Sequence, residues 1–370
     1  MDIENKIHIG LLYGGKSCEH EVSITSARCI CEALDSEKYE ISMIGIAKTG
    51  EWLLANESSP VLKAKEVNPV GKTGVSLDYT TTGQIELRDS ADNVSSSLSK
   101  IDVIFPVLHG PFGEDGTVQG LMEIAGIAYV GSGVTGSAVG MDKAVAKAVF
   151  SSTNIPQTDY RVFRKSRWES SRTAVVDEIE ANLNFPMFVK PANLGSSVGI
   201  SKVKTRDELK WAMDHAAEFD VKLIVEQGLE NCHEVEVSIL GNDDPQASVV
   251  GEIVPGGEFY DYEDKYINGV STAIIPAELP EAVTRQIQAY AIEAFLAIDA
   301  AGLARVDFFV DRDSFDIYIS EINTMPGFTP ISMYPKLWEA SGIGYAELLD
   351  RLIELALERR GKLDQVKFVL

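Results

Sequence analysis

The stretch Arg305–Ser332, RVDFFVDRDSFDIYISEINTMPGFTPIS, decides how the chain is read. Two alternating runs, VDFFV and DIYISEIN, flank the turn-rich segment Asp311-Arg312-Asp313-Ser314, which is the pattern of a β-hairpin. Side chains along a strand point alternately to opposite faces, so Arg305 shares a face with Asp307, and Glu321 with Asn323. A turn centred on Ser314 sets Asp307 opposite Glu321 and Arg305 opposite Asn323. One face then gathers an arginine, two carboxylates and an amide.

Carboxylates facing each other across a ladder repel unless a cation lies between them. Asp307, Glu321 and Asn323 offer hard oxygens, with no His or Cys among them. That set suits Mg2+, which fills its remaining positions with water and phosphate oxygens. The plainer alternative is a solvated hairpin face with an Arg–Asp pair. The following turn, Met325-Pro326-Gly327-Phe328-Thr329, presents backbone N–H groups beside the cluster, and a solvated hairpin has no need of it. The metal reading is therefore preferred.

Upstream, Phe185-Pro-Met-Phe-Val-Lys190 reads as a strand ending in a lysine, followed by the small-residue loop Ala192–Gly199 and a second strand to Val203. Such a hairpin can drape N–H groups and the hydroxyls of Ser196 and Ser197 over phosphates, with Lys190 as a point charge. A helix to about Thr153 carries Lys143 and Lys147, which by default are solvated. Val221–Gln227 is an apolar strand ending in the polar pair Glu226-Gln227, an edge that can hydrogen-bond an adenine through its backbone. In EVEVSIL the alternate glutamates share a face, and one of them, Glu234, could take ribose hydroxyls or simply face solvent. Gly256–Ser271, with Lys265 and Tyr266, is long enough to be a functional loop.

The chain opens with a βαβ pattern: an apolar strand over Lys6–Tyr13, helical spacing from Ser23, and a strand over Tyr39–Ala47. Gly10-Leu-Leu-Tyr-Gly-Gly-Lys16-Ser17 matches the phosphate-binding P-loop signature to the letter. Its context is wrong, because Gly10 lies inside the strand rather than at its end. Glu19 just beyond could face a ligand ammonium or satisfy the helix dipole. A second buried strand, Ile101–Leu108, ends at His109, where open α/β sheets bind ligands. Residues 51–100 read as a polar excursion with weak strand signals, and Gly131–Lys143 as the exit from the first domain.

The 370 residues allow two or three domains. A net charge of -23 argues against nucleic acid and anionic membrane as partners. Cys18, Cys29, Cys31 and Cys232 are too few and too scattered for a disulfide framework or a zinc site. Neither a signal peptide nor a bilayer-length apolar run is evident. A cytoplasmic protein is expected.

Several motifs occur together in order: GGKSCEHEVS, HGPFGEDGTVQG, GSAVGMDK, FVKPANLGSSVGISKV, IVEQ, FYDYEDKY, ARVDFF and EINTMPGFT. From about Ile7 to Arg360 the chain resembles the D-alanine:D-alanine ligases of the ATP-grasp superfamily, in their longer form. The resemblance implies an α/β fold with a Rossmann-like, doubly wound parallel-sheet domain (1–140, including the excursion) and two α+β subdomains. The smaller (141–230) would carry the phosphate lid, the larger (231–370) the metal site and lid loop. It implies transfer of the ATP γ-phosphate to the carboxylate of one D-alanine, then attack by the amine of a second.

In this resemblance Lys143 and Lys190 hold phosphates under Ser196 and Ser197; Glu226, Gln227 and Leu229 flank adenine; Glu234 takes the ribose. Asp307, Glu321 and Asn323 hold two Mg2+ ions, for which Mn2+ can substitute. Arg305 and the Gly327 N–H face the tetrahedral oxygens. Glu19 and His109 receive the first D-alanine, Lys265 and Ser332 the carboxylate of the second. Glu19, Ser196 and Tyr266 form a clasp over the site. A homodimer is expected. Met325 and Pro330 depart from the usual residues. Val198 and Tyr266 stand where ester-forming relatives carry Phe and a lid-loop histidine, which favours an amine as second substrate over lactate.

Overall fold

The structure is a computed structural model that describes residues 6–55, 66–67, 73–74, 101–195, 198–254 and 271–367. In chain order it runs β1 (Ile7–Gly14), α1 (His20–Ala33), β2 (Tyr39–Ile46), β3 (Trp52–Ala55), β4 (Thr73–Gly74), β5 (Val103–Val107), α2 (Thr117–Ala125), β6 (Ala128–Tyr129), α3 (Val134–Met141) and α4 (Lys143–Ser152). There follow β7 (Tyr160–Arg164), α5 (Lys165–Ser170), α6 (Arg172–Glu180), β8 (Met187–Pro191), β9 (Ser201–Val203), α7 (Arg206–Phe219) and β10 (Lys222–Gln227). The last third is β11 (Cys232–Gly241), β12 (Gln246–Val254), β13 (Thr272–Ile274), α8 (Glu281–Ala297), β14 (Gly302–Asp311), β15 (Ile317–Asn323), α9 (Met333–Ala340) and α10 (Tyr345–Asp364).

The first sheet has the order β4-β3-β2-β1-β5-β6, with β2, β1, β5 and β6 parallel. Strands β1 and β5 are buried on both faces, which is why their sequences are continuous rather than alternating. Pro106 is tolerated because β6 pairs only as far as Ile104 on that side of β5. Gly10 lies mid-strand, where an added Cβ would come within 2.6 Å of Ile104 Cδ1, so the P-loop match is packing and not a phosphate loop. The tight turn that delivers Glu19 begins at Gly14, with φ +91° and room for no side chain: a Cβ would stand 2.3 Å from the Ile46 carbonyl oxygen. Gly14→Ala is expected to destabilise the protein by about 3 kcal/mol or more, read as a lower urea midpoint.

Two antiparallel sheets follow, β7-β10-β8-β9 and β13-β12-β11-β14-β15. β8 and β9 pair as the expected hairpin, Met187 opposite Val203. In the larger sheet Arg305 faces Asn323 and Asp307 faces Glu321. The turn, however, is centred between Asp313 and Ser314, since Phe308 faces Ile319. Ser320 is thus one extra residue on β15, a bulge that restores the register. It also lets Ile319 and Ile322 both be buried, which plain alternation forbids.

The stretch read as an exit from the first domain contains a helix, α3. Its glycines are there for close approach: a Cβ at Gly136 would meet the Asp299 carbonyl oxygen at 2.6 Å. The apolar face of α10, with Leu348, Leu352 and Ile353, joins the core beneath β1 and β5 together with Phe328 and Trp338. The chain's end is therefore packed against its beginning, and the EINTMPGFT turn is held between them. Strand signals over residues 75–100 lie outside the described residues.

Candidate active site

Glu19 precedes α1 as its N-cap residue, yet its side chain makes no capping bond. It is 8% exposed and turns into a cleft at the carboxyl ends of β1 and β5. A Cβ at Gly195 would lie 3.1 Å from Glu19 Oε2 and 3.8 Å from Glu114 Oε1, so the backbone at Gly195 passes close to both carboxyls. His109 Nδ1 donates to the Met325 carbonyl oxygen at 3.0 Å, which fixes the tautomer. Burial lowers its pKa, and the buried Nε2 has no partner. The ring therefore offers the cleft a neutral acceptor.

Glu114 accepts from the Gly110 N–H at 2.7 Å. Burial, reinforced by the Glu19 charge, pushes its carboxyl up to about 8. A raised carboxyl means that the folded state keeps a proton the unfolded chain loses above its ordinary value of 4.5. Its stabilising contribution is full below that value and is lost as pH rises towards 8. Compared with Glu114→Gln, the wild type is expected to lose stability across this window by up to about 1.4 kcal/mol per pH unit, read from urea midpoints at stepped pH.

On the hairpin, Arg305 grips Asp307 with both ends, Nε to Oδ1 at 2.7 Å and a terminal nitrogen to Oδ2 at 2.6 Å. Glu236 on β11 stands 3.1 Å from the same Nε. Burial opposes the arginine's charge, but Asp307 and Glu236 outweigh it and raise its pKa further. Lys143 Nζ donates to the Leu194 carbonyl oxygen and lies 3.3 Å from Glu321 Oε2. Asn323 Oδ1 accepts from the Met325 N–H and braces the turn. A Cβ at Gly327 would meet Ser332 Oγ at 2.8 Å, so a side chain there would displace that hydroxyl.

The donor set fits a small divalent ion. Among the described residues no group of three or more His, Cys, Asp or Glu side chains could hold a metal ion, and Asp307, Glu321 and Asn323 would offer two carboxylates and an amide. Such a set leaves positions for phosphate oxygens, as Mg2+ prefers. Each carboxylate now meets a protein cation, Arg305 or Lys143, which marks where positive charge is wanted.

Lys190, on β8, donates to Glu226 Oε2 at 3.1 Å in a second cleft, lined also by Leu229 and Glu234. Burial opposes ionisation of Glu226, but Lys147 and Lys190 together hold its carboxyl below the usual range. Gln227 borders this cleft, but its side chain is committed elsewhere: its amide bonds Asn184 through both the carbonyl and the N–H. The side chain is thus held away from the cleft, which leaves the main chain of this strand end, as the sequence reading had it, to face a ligand. Lys147, expected in solvent, is 1% exposed, its charge met by Glu226 of β10 at 3.6 Å. The two clefts adjoin, for Glu236 and Glu321 line both.

Ser196, Ser197, Lys265 and Tyr266 lie outside the described residues. Sequence reading gave Glu114, Glu236 and Lys147 no role. For Glu236 a signal was present, since it shares a strand face with Glu234.

Two antiparallel sheets closing on one cleft, lysines on the smaller and carboxylates on the larger, is the arrangement of the ATP-grasp class. Comparison with known proteins narrows it. The profile described as D-ala D-ala ligase N-terminus matches residues 8–132, and D-ala D-ala ligase C-terminus matches residues 149–354. The chain belongs to the D-alanine–D-alanine ligase family. It is 52% identical over 352 residues to the D-alanine–D-alanine ligase of Heliobacterium modesticaldum, across 95% of this chain and 94% of that one. It is 49% identical to that of Bacillus cytotoxicus, across 99% of both. The solved D-alanine-D-alanine ligase of Coxiella burnetii superposes with a TM-score of 0.83 at 37% identity, covering 97% of this chain and 96% of that one. The VanG D-Ala:D-Ser ligase of Enterococcus faecalis gives 0.82 at 34%, covering 95% and 100%.

Proposed function

We propose that this chain joins two D-alanines with ATP to give D-alanyl-D-alanine, a precursor for peptidoglycan synthesis. The observation that carries the reading is the junction of the two clefts at Glu321, with Lys190 and Glu226 on one side and Glu19, His109 and Arg305 on the other. A triphosphate laid from Glu226 towards that junction brings its terminal phosphate to the amino-acid side.

Glu19 binds the ammonium of the first D-alanine. The γ-phosphoryl group passes to its carboxylate, giving an acylphosphate and ADP. The amine of the second D-alanine, losing a proton, attacks the acyl carbon, and phosphate leaves. Neutral His109 accepts a hydrogen bond from an amine without repelling it. Arg305 and the Gly327 N–H stabilise the tetrahedral oxygens. Ser332 and Lys265 hold the second carboxylate, while Ser196 and Tyr266 close over the site with Glu19 and exclude water. Asp307, Glu321 and Asn323 would hold Mg2+ ions, or Mn2+ in their place, which neutralise phosphate charge when bound. Positioning and charge neutralisation suffice, and no covalent enzyme intermediate is needed.

The reading includes three units, 1–140, 141–230 and 231–370, supported by one sheet in each, although α10 packs on the first. It also includes a cytoplasmic homodimer; sedimentation velocity checks the dimer. The test of function is phosphate release with ATP, Mg2+ and D-alanine, with the product identified. D-serine and D-lactate are offered in competition, because overall shape matches a D-Ala:D-Ser ligase almost as well. A dominant D-alanyl-D-serine or ester product would overturn the choice of second substrate.

A further inference from the structure

Lys147 is a lysine buried on the inner face of α4, and among the described residues it lines neither cleft. Its Nζ lies 3.6 Å from Glu226 Oε2 and 5.5 Å from the Tyr160 ring centre. Lys190 Nζ donates to that same oxygen at 3.1 Å. Two cations thus share one oxygen of one carboxylate. The other oxygen, Oε1, is buried without a partner, on a residue that lines the nucleotide cleft.

This doubling has a use once a nucleotide is present. Lys190 is the cation that can reach a phosphate, and turning to it loosens its hold on Glu226. With Lys190 alone, that movement would leave a buried anion uncompensated, which is among the costliest changes a protein interior can undergo. Lys147 cannot follow the ligand, so it stays. An ionised carboxylate is acceptor-only, and Oε1 then matches a ligand donor such as the 6-amino group of a purine, while opposing a 6-oxo group.

We propose that Lys147 is a positioning residue of the nucleotide cleft: it keeps Glu226 ionised and in place when Lys190 turns to the triphosphate, and so sets the preference for a 6-aminopurine. The proposal rests on the nucleotide reading given above. Burial depresses the Lys147 pKa while Glu226, and more weakly Glu321, oppose that, as expected of a cation kept in the interior by nearby anions.

The test is calorimetric binding of ADP and GDP, with Mg2+, to the full chain as wild type, Lys147→Met, Glu226→Gln and the double variant. Lys147→Met is expected to weaken ADP binding ~100-fold, the scale of unpairing a buried charge. Its ADP-over-GDP preference falls about tenfold, while the KM for D-alanine stays within about twofold, since Lys147 does not border that cleft. In the Glu226→Gln background the same change costs less than about twofold, because no anion is left to compensate. A lysine serving only to fill space would instead give equal losses in both backgrounds, or none, and either result overturns the proposal. If Lys147→Met does not fold, the double variant decides: folding with the affinity of Glu226→Gln supports the proposal, and failure to fold overturns it. A wild type that binds neither ADP nor ATP removes the nucleotide reading itself, a distinguishable failure.

Discussion

Arg305→Leu is expected to lower the turnover of phosphate release about a thousandfold or more while leaving ADP affinity within about fivefold. The guanidinium is mostly buried, with its side chain 16% exposed, and spans two anions, Asp307 and Glu236, at 2.6–3.1 Å. It lines the cleft of Glu19 and His109 and not that of Lys190 and Glu226, so in the proposed function its charge acts where a tetrahedral oxygen develops rather than where ADP binds. Its loss also leaves two carboxylates facing each other, which should cost about 3 kcal/mol of stability. Arg305→Lys separates these effects. It retains the charge and most of the stability, but a single ammonium cannot grip both oxygens of Asp307 and still reach Glu236, so turnover stays well below wild type. Turnover of Arg305→Leu within tenfold of wild type would remove Arg305 from the chemistry.

The hairpin that carries this arginine was legible because strand alternation and antiparallel pairing follow simple counting. The count succeeded with one hidden correction. Phe308 and Asp307 pair in different registers, and the bulge at Ser320 supplies the residue that reconciles them. A bulge leaves no clear mark in composition. Lys147 was illegible for another reason: a lysine on a helix is solvated unless an anion meets it, and its anion, Glu226, is distant in sequence. The division of labour between Glu234 and Glu236 was half visible. Alternation puts both on one face, and both line the cleft of Lys190, but only the arrangement of the sheets brings Glu236 to Arg305. Helix α3 was obscured by Gly136 and Gly140, which read as loop and serve as contact points for the Asp299 carbonyl and Thr324.

Two lysines, each close to a glycine-rich turn, make the sharpest contrast between motif and structure. Lys16 completes a perfect phosphate-loop signature, yet it is exposed, and the first glycine of that signature is sealed within β1. Lys190 completes no such signature, but it stands at the end of β8, 11% exposed, with its ammonium on Glu226 inside the cleft. Lys190→Met is therefore expected to reduce turnover at least about a thousandfold, as removal of a charge that meets developing phosphate charge in a dry site does. Lys16→Met should stay within about twofold of wild type, as surface substitutions usually do. The readout is kcat for phosphate release at saturating D-alanine. The pair also separates two kinds of lysine within the cluster. Lys190 should act mainly on kcat, because its charge is needed as the phosphate moves. Lys147 should act mainly on nucleotide affinity and base choice, because its charge never leaves Glu226. If both variants lost affinity and turnover in equal measure, the ligand would lie along some path other than that between Glu226 and Glu321.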